Sequence, residues 1–146
     1  MNNYVLTIGH DGSSSVNSVY IDKLLKNKNM CVYERPDYSK MTIEELVIEG
    51  QKSIQMSKLC VGVFDFTNCG YNYFDEQLYE GMYVTIAMSV ALSKNCFCYV
   101  SAKENECFNR FINNPNNYFF RHPLVKIYHH NELEQLLDDV EQKYLE

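Results

Sequence analysis

The sequence predicts an α/β fold: a flavodoxin- or Rossmann-like three-layer sandwich around a five-stranded parallel sheet with strand order 2-1-3-4-5. Three observations lead to this prediction. Short apolar runs rich in β-branched residues alternate along the chain with segments of helical periodicity. Most links between them are short, as expected for right-handed crossovers between parallel strands. The run LCVGVFDF at 59–66 is apolar nearly throughout, which is typical of a strand buried on both faces at the centre of a sheet.

The individual elements follow from local signals. Strands are expected where apolar runs are bounded by turn residues, at 4–8, 30–33, 59–66, 95–100 and 124–128. Helices are expected where apolar residues recur at helical spacing, at 16–25, 43–57, 75–94 and 104–112, with a closing helix through Leu145. Thr42, with Glu45 three residues on, forms a capping box for the second helix. Asn131 is the expected cap of the closing helix.

The composition is that of one globular domain. The chain has 146 residues, 46% of them apolar and 22% charged, so we expect a single domain over 1–146 with its own core. The net charge of −6 argues against a protein that coats nucleic acid, because neutralising phosphates requires clustered Lys and Arg. A small phosphorylated ligand is compatible with this charge, since two or three local donors can hold it.

The chain carries no recognisable targeting or membrane-spanning pattern. Its start, MNNYVLTIGH, lacks the basic stretch and apolar run of a signal peptide, and the uncharged run at 81–93 is too short and polar to cross a bilayer. We therefore expect a cytoplasmic protein. The six cysteines form no Cys-x-x-Cys pair and lie mostly in apolar runs, so we expect buried thiols. Cys96 and Cys98 share a strand face, but two ligands make no zinc site, and neither a metal nor a cofactor is expected.

The loops after the first two strands are candidate ligand sites, because ligands of such sheets bind at the carboxyl ends of the strands. The first loop, GHDGSSS, offers tight glycine turns, hydroxyl donors and the N-terminus of the following helix, which suit a phosphate or sugar hydroxyls. An ordinary Ser/Gly turn is the alternative. The candidate ligand-binding residues of this first loop are Gly9, His10, Asp11, Ser13 and Ser14. In the second loop, Arg35 either meets an anionic ligand or forms a solvated ion pair with Glu34.

The loop after the central strand interleaves aromatic rings with amides. Such a mixture suits a purine or pyrimidine, which needs stacking and hydrogen bonds at the base edge, although exposed tyrosines are as common in protein contacts. The candidates that we take from this loop are Asp65, Asn68 and Tyr73.

The stretches QKSIQMSKLCVGVFDF and YEGMYVTIAMSVALSK resemble the nucleoside 2-deoxyribosyltransferase family and its relatives that hydrolyse deoxynucleoside monophosphates. In that family the helix after the central strand opens with an Asp-x-Gly-Thr-x-x-Glu-x-Gly-x-Ala pattern and finishes at a Lys before the next strand. The resemblance spans most of the chain and implies the same fold. It also implies a glutamate nucleophile whose carboxylate attacks the anomeric carbon.

This chain departs from the family at the nucleophile. Alignment on Gly81 and on the ALSK segment at 91–94 places Thr85 where the family has its catalytic Glu, and Tyr79 where it often has the motif Asp. Threonine without a neighbouring base is a poor nucleophile, so in this register no catalytic residue is favoured. In a shifted register Glu80 is the nucleophile and Asp75 its carboxylate neighbour, which requires about five extra residues before Lys94.

The resemblance also implies a homodimer or a larger homo-oligomer. In the transferases an Asn from a neighbouring subunit completes the pocket, and the segment FNRF at 108–111 is similar to the one that carries it. This places Asn109, with Arg110 beside it, at the pocket of the neighbour. The alternative is an ordinary helix before the turn-rich NNPNN segment.

Together these observations favour a non-catalytic nucleotide-binding protein that has kept the pocket and lost the nucleophile. A small, acidic, asparagine-rich chain would suit a phage anti-defence protein in an infected bacterial cell. It would act as a sponge that sequesters a nucleotide-derived signal, either a cyclic nucleotide or an ADP-ribose-type compound. The alternatives are an N-glycosidase or deoxyribosyltransferase acting through Glu80, and a protein-interaction module that uses the tyrosine-rich loop.

Overall fold

The computed structural model describes residues 3–9, 16–34, 36–66, 80–102 and 105–146. The strands are β1 (Tyr4–Gly9), β2 (Ser57–Asp65), β3 (Cys96–Ser101) and β4 (Val125–His129). The helices are α1 (Val16–Asn27), α2 (Ile43–Gln55), α3 (Glu80–Ala91), α4 (Asn105–Ile112) and α5 (Leu133–Leu145). Short 3-10 helices lie at Tyr38–Lys40 and Pro115–Arg121.

The described strands form one parallel sheet in the order β1-β2-β3-β4, with helices on both faces, as in a Rossmann-like sandwich. The prediction of a fifth strand at 30–33 is wrong, because this segment forms a single bridge between Val32 and Val5. The N–H of Val5 donates to the carbonyl of Cys31 at 2.8 Å, and the N–H of Tyr33 donates to the carbonyl of Val5 at 2.9 Å. The segment thus lies beside β1, where the predicted order places the second strand, but pairs with one residue only.

The chain leaves the sheet after Tyr33 for local reasons. Pro36 has no N–H to donate to a ladder, and the Asp37 carboxylate accepts from the N–H of Ser39 at 3.0 Å, which caps the following 3-10 helix. A pairing of one residue at the sheet edge is too short to count as a strand.

Two apolar clusters hold the helices on the sheet. On one face α1 and α5 cover the inward side chains of all four strands, with Leu25, Val61 and Leu136 at its centre. On the other face α2, α3, α4 and the second 3-10 helix pack on a cluster that includes Phe64, Ile86 and Phe111. The expected central strand, β2, contributes to both clusters, which confirms that it is buried on both faces.

Helix termini show which local predictions hold. The capping box at α2 is confirmed: the Thr42 hydroxyl accepts from the N–H of Glu45 at 3.2 Å, and the Glu45 carboxylate accepts from the N–H of Thr42 at 3.3 Å. The predicted cap at Asn131 is wrong, since α5 begins after Glu132 and its first turn has no side-chain cap. The Glu132 carboxylate instead accepts from the N–H of His129 at 2.8 Å.

Lys94 joins the carboxyl ends of α2 and α3. α3 ends at Ala91, and Ser93 takes a left-handed conformation with φ of 60°, which turns the chain toward β3. The Lys94 ammonium then donates to the carbonyls of Ile54, Gln55 and Ser57. These carbonyls lie at the end of α2 and just beyond it, so one side chain satisfies acceptors that the helix leaves unpaired.

The cysteine predictions are confirmed for the three sheet residues. Cys60, Cys96 and Cys98 are buried thiols in the same cluster, so Cys96 and Cys98 do share a face. Cys31 is exposed and Cys107 half-buried, whereas Cys69 lies outside the described residues. Over the described ranges, no helix has the length and apolarity needed to cross a membrane.

Candidate functional site

The carboxyl ends of β1, β2 and β3 bring three candidate positions together. Gly9 ends β1 opposite Val63, two residues before Asp65 at the end of β2. Asp65 in turn pairs with Ser101, the last residue of β3. Gly9 and Ser101 are buried, whereas Asp65 is half-buried. The structure therefore places the Gly9 backbone and the Asp65 carboxylate on adjacent strands at one edge of the sheet, as the sequence predicts.

Asp65 belongs to a small polar group on the α1/α5 side of the sheet. The Tyr99 phenol donates to the carbonyl of His130 at 2.7 Å. Burial raises the pKa of Tyr99; its hydrogen bond with Ser101 lowers that pKa, and the negative charge of Asp65 raises it. The group therefore combines a neutral phenol, a hydroxyl and a carboxylate. The Asp65 carboxylate is the half-buried member of the group and can accept hydrogen bonds from sugar hydroxyls, whereas Tyr99 and Ser101 are buried and hydrogen-bonded within the protein.

Sequence reasoning missed Tyr99 and Ser101. The expected fourth strand ended at Val100, one residue too early, so Ser101 at its carboxyl end was not among the predicted site residues. The two-residue period of a strand contained the signal. Tyr99 and Ser101 are two residues apart and share a face of β3, and Ser101 pairs with Asp65 on the neighbouring strand.

Thr85 lies one turn into α3 and its hydroxyl is engaged in the helix. The hydroxyl donates to the carbonyl of Gly81 at 3.1 Å, and the Ser89 hydroxyl donates to the carbonyl of Thr85 at 2.8 Å. The Thr85 side chain is half-buried. A proton already given to a backbone carbonyl is not held by a general base, so this geometry does not activate the oxygen for attack on carbon. Its lone pairs remain able to accept a hydrogen bond.

Gly81 leaves the start of α3 open. The residue is exposed, and a Cβ built there would meet nothing within 4 Å. Because α3 connects the carboxyl end of β2 to the amino end of β3, it runs antiparallel to the strands. The start of α3, with Gly81 and Thr85, therefore lies toward the carboxyl ends of the strands, as Asp65 does, but on the opposite face of the sheet.

Asn109 and Arg110 lie on the outer side of α4. Both are exposed, whereas the flanking Phe111 is buried and its ring lies 4.9 Å from that of Phe64. Phe108 makes an edge contact of 4.6 Å with the His129 ring. The two phenylalanines thus fix the helix with Asn109 and Arg110 turned away from the core of their own chain.

Most of the predicted loop residues lie outside the described part of the chain. These are His10, Asp11, Ser13, Ser14, Arg35, Asn68, Tyr73, Asp75 and Tyr79, and the same holds for the side chain of Glu80. Of the predicted site, the structure therefore describes Gly9, Asp65, Gly81, Thr85, Asn109 and Arg110.

A separate cavity of about 240 Å³ opens between α2 and α3, lined by Gln51, Ile54, Gln55, Met88, Ala91 and Leu92. It lies beside Lys94, at the opposite end of the helices from Gly81. It is therefore not part of the candidate site at the carboxyl ends of the strands.

Within the part of the chain that the structure describes, no group of three or more His, Cys, Asp or Glu side chains is arranged to hold a metal ion. Comparison with known proteins adds no relative: no family model matches the chain, and no curated protein matches it in sequence.

Proposed function

We propose that this chain is a non-catalytic nucleotide-binding protein on a deoxyribosyltransferase-like fold, which sequesters a nucleotide-derived signal. The observation that carries the proposal is the state of Thr85. The family that the sequence resembles has a glutamate nucleophile where alignment on Gly81 and the ALSK segment places Thr85, and this threonine donates its proton to the carbonyl of Gly81. A protein with a binding site but no nucleophile holds its ligand without turning it over.

The polar group beside Asp65 supports binding of the sugar. A half-buried carboxylate at the carboxyl end of a central strand is well placed to accept from ribose hydroxyls, as carboxylates do in doubly wound nucleotide-binding folds. The buried Gly9 lets the chain leave β1 without a side chain between the strand end and a ligand. The proposed phosphate partners are the hydroxyls and amides of the loop after β1, with Arg35.

The outward orientation of Asn109 and Arg110 supports a pocket shared between subunits. Both side chains are exposed on α4 and lie on the side of the helix that faces away from the core of their own chain. In a homo-oligomer, Asn109 would read a base or sugar edge and Arg110 would pair with a phosphate of the ligand bound to the neighbour.

The biological role that we propose is capture of a defence signal, a cyclic nucleotide or an ADP-ribose-type compound, by a phage protein. Tight capture suits a chain that releases no product. The competing hypothesis is an N-glycosidase in which Glu80, the first residue of α3, is the nucleophile.

One mass-spectrometric experiment tests both hypotheses. Purified protein is incubated with deoxynucleosides, nucleotides, cyclic nucleotides and ADP-ribose derivatives, and both ligand depletion and free base are measured. Depletion of one compound that returns intact on heating the protein is the expected result. Release of free base that Glu80→Gln abolishes would instead establish the enzyme. If neither ligand depletion nor free base is detected, both hypotheses are contradicted.

Variants then locate the site. We expect Asp65→Asn and Asn109→Ala to weaken capture by about tenfold or more, since each removes a hydrogen bond to the ligand. The matched controls are Asp138→Asn and Asn27→Ala, which change exposed residues of the same types elsewhere on the surface. Equal capture by all four variants would rule out the proposed pocket.

A further inference from the structure

The cavity between α2 and α3 lies where these two helices end. α2 ends at Gln55 and α3 at Ala91, and both residues line the cavity. Ile54, in the same wall, is 2% exposed, whereas Leu92 is 51% exposed. The cavity therefore leads from the edge of the core to the surface, so a small molecule can enter it from solvent.

The volume of this cavity sets the size of the molecule that it can hold. Pockets for drug-sized ligands have volumes of roughly 300–1,000 Å³. An apolar cavity of about 150 Å³ is large enough to bind benzene. The volume here, about 240 Å³, lies between these values. It therefore suits a molecule with a single aromatic ring and a small substituent.

Most of the cavity wall is apolar. Four of the six lining residues have apolar side chains, namely Ile54, Met88, Ala91 and Leu92. Removing apolar surface from water favours binding, and the unbranched methionine side chain adapts its shape and places a polarisable sulfur against a ring. The body of a matching ligand is therefore apolar and aromatic.

The polar part of the wall consists of two carboxamides. Gln51 and Gln55 are four residues apart on α2, so their side chains lie on the same side of the helix, and both residues are exposed. Each carboxamide has an oxygen that accepts hydrogen bonds and an NH₂ group that donates them. This pair therefore matches a ligand edge that also carries both kinds of group, such as an amide or a lactam.

The surroundings of the cavity disfavour an anion. The Lys94 ammonium lies beside it and has three N–H donors, and it donates to the carbonyls of Ile54, Gln55 and Ser57. A carboxylate would therefore have to displace a backbone carbonyl to bind this ammonium. The carboxyl ends of the two helices also carry partial negative charge, which repels an anion.

A cation is disfavoured as well. None of the six described residues that line the cavity is Asp or Glu, so no carboxylate in this wall would pair with a positive charge. The Lys94 ammonium repels a second cation beside it. A neutral ligand meets neither of these costs.

We propose that the cavity between α2 and α3 is a second ligand site, which takes a small neutral aromatic molecule with an amide or lactam edge. This inference goes beyond the proposed function, because it uses neither Asp65 nor Asn109 and lies at the other end of α3 from Gly81. It holds whatever ligand binds at the carboxyl ends of the strands.

Benzamide is the probe that tests this proposal on the full chain, because it combines one aromatic ring with one carboxamide. Its titration is followed by NMR of the backbone amides. We expect saturable shifts at residues of the cavity wall, with a dissociation constant on the order of 1 mM, as is usual for so small a ligand. Benzoate and benzamidinium have nearly the same shape but carry a charge, and each is expected to bind about tenfold more weakly or less tightly still.

Two results of this titration would overturn the proposal. One is the absence of saturable shifts at the lining residues. The other is binding of benzoate or benzamidinium as tight as that of benzamide, since the site would then not select a neutral molecule.

A variant that fills the cavity tests its location. Ala91→Phe is expected to weaken benzamide binding by about tenfold or more, because the larger side chain takes up the space of the ligand. The matched control is Ala87→Phe, at an exposed alanine one turn earlier on α3 that is not in the cavity wall. Circular dichroism checks that both variants are folded. Unchanged binding in Ala91→Phe, or an equal loss in Ala87→Phe, would refute this location.

The role of the amides is tested by Gln55→Leu. It is expected to weaken benzamide binding by about three- to tenfold, since it removes a hydrogen bond but keeps the size of the side chain. Gln142→Leu, at an exposed position of α5, is the control and is expected to change nothing. Equal binding by the two variants would show that the amide edge is not recognised by Gln55.

Asp65→Asn separates this site from the proposed nucleotide site. It is expected to weaken nucleotide capture and to leave benzamide binding unchanged, so the failure of one proposal is distinguished from the failure of the other. A loss of benzamide binding in this variant would place the probe at the carboxyl ends of the strands and would overturn the second site.

Discussion

The phenol of Tyr128 donates a hydrogen bond of 2.6 Å to Oδ2 of Asp139, which ties β4 to α5. The same oxygen accepts from the Lys126 ammonium at 2.8 Å, and Gln135 donates to the other carboxylate oxygen at 2.8 Å. Burial and the bond to Asp139 raise the pKa of Tyr128. The bonds from Lys126 and Tyr128 hold the pKa of Asp139 below its usual value. At neutral pH the pair is therefore a charged acceptor with a neutral donor.

Asp139→Asn is expected to lower the free energy of unfolding at pH 7 by about 1 kcal/mol, because it weakens these charge-assisted hydrogen bonds near the surface. The pKa of Asp139 is lower in the folded state than in the unfolded state, where it is about 3.9. The contribution of Asp139 is thus present above about pH 4 and is lost as the pH falls through the lower, folded-state pKa. Urea unfolding at a series of pH values measures the difference. Asp138→Asn is the control, and a difference as large at pH 2 as at pH 7 would refute this account.

Lys94→Met is expected to destabilise the protein by about 1–2 kcal/mol. The substitution keeps the aliphatic stem but removes the ammonium that donates to two carbonyls at the end of α2 and to that of Ser57 at the start of β2, and these carbonyls are then left without that donor. Thermal unfolding of the variant measures the loss. Lys23→Met, at an exposed position of α1, is the matched control. Equal melting temperatures for the two variants would show that the hydrogen bonds of Lys94 contribute nothing to stability.

Phe111→Ala is expected to cost about 3–5 kcal/mol, as truncation of a fully buried aromatic side chain does. Its ring lies 4.9 Å from Phe64, 5.0 Å from Phe66 and 5.2 Å from Phe120, and it holds α4 on the sheet. Chemical denaturation measures this value. Tyr118→Ala, at a side chain 69% exposed, is expected to cost less than about 1 kcal/mol. A Phe111→Ala variant as stable as Tyr118→Ala would mean that α4 is not anchored by this ring.

Cys31 is expected to react with a thiol reagent in the folded protein, whereas Cys60, Cys96 and Cys98 react only after unfolding. Cys31 is exposed, and the other three lie in the core. Burial, with Cys96 as a neighbour, raises the pKa of the Cys98 thiol well above its usual value, so its reactive thiolate is scarce. Peptide mapping after brief alkylation with and without denaturant measures each site. Labelling of Cys98 in the native protein at the rate of Cys31 would contradict the described packing.

The sequence predicted correctly those elements that are determined by residues close together in the chain. The apolar run of β2 and the Thr42–Glu45 capping box needed only neighbouring residues, and both are confirmed. The segment at 30–33 was mispredicted, because forming a strand depends on partners elsewhere in the chain, and Val5 alone supplies them. Asn131 is not the cap because α5 begins at Leu133, after Glu132, and the Asn131 side chain instead contacts the His129 ring at 3.1 Å, which spacing does not reveal.

The positions of some candidate residues were predictable for the same reason. The end of a central strand can be read from an apolar run, which placed Asp65 at the carboxyl end of the sheet, and the structure describes it there. Hydrophobic periodicity marks which residues avoid water but not what covers them. The exposure of Ile48 and Val84 therefore became visible only with the helices in place.

The last strand of the described sheet shows how this chain avoids uncontrolled growth of its β-structure. β4 has only five residues, and an exposed edge strand is a template on which another molecule can add a strand. The N–H of Val125 already donates to the carbonyl of His122, and the N–H of His129 donates to the Glu132 carboxylate. The exposed Lys126 places a charge between them. The described sheet is thus protected from the addition of further strands along this edge.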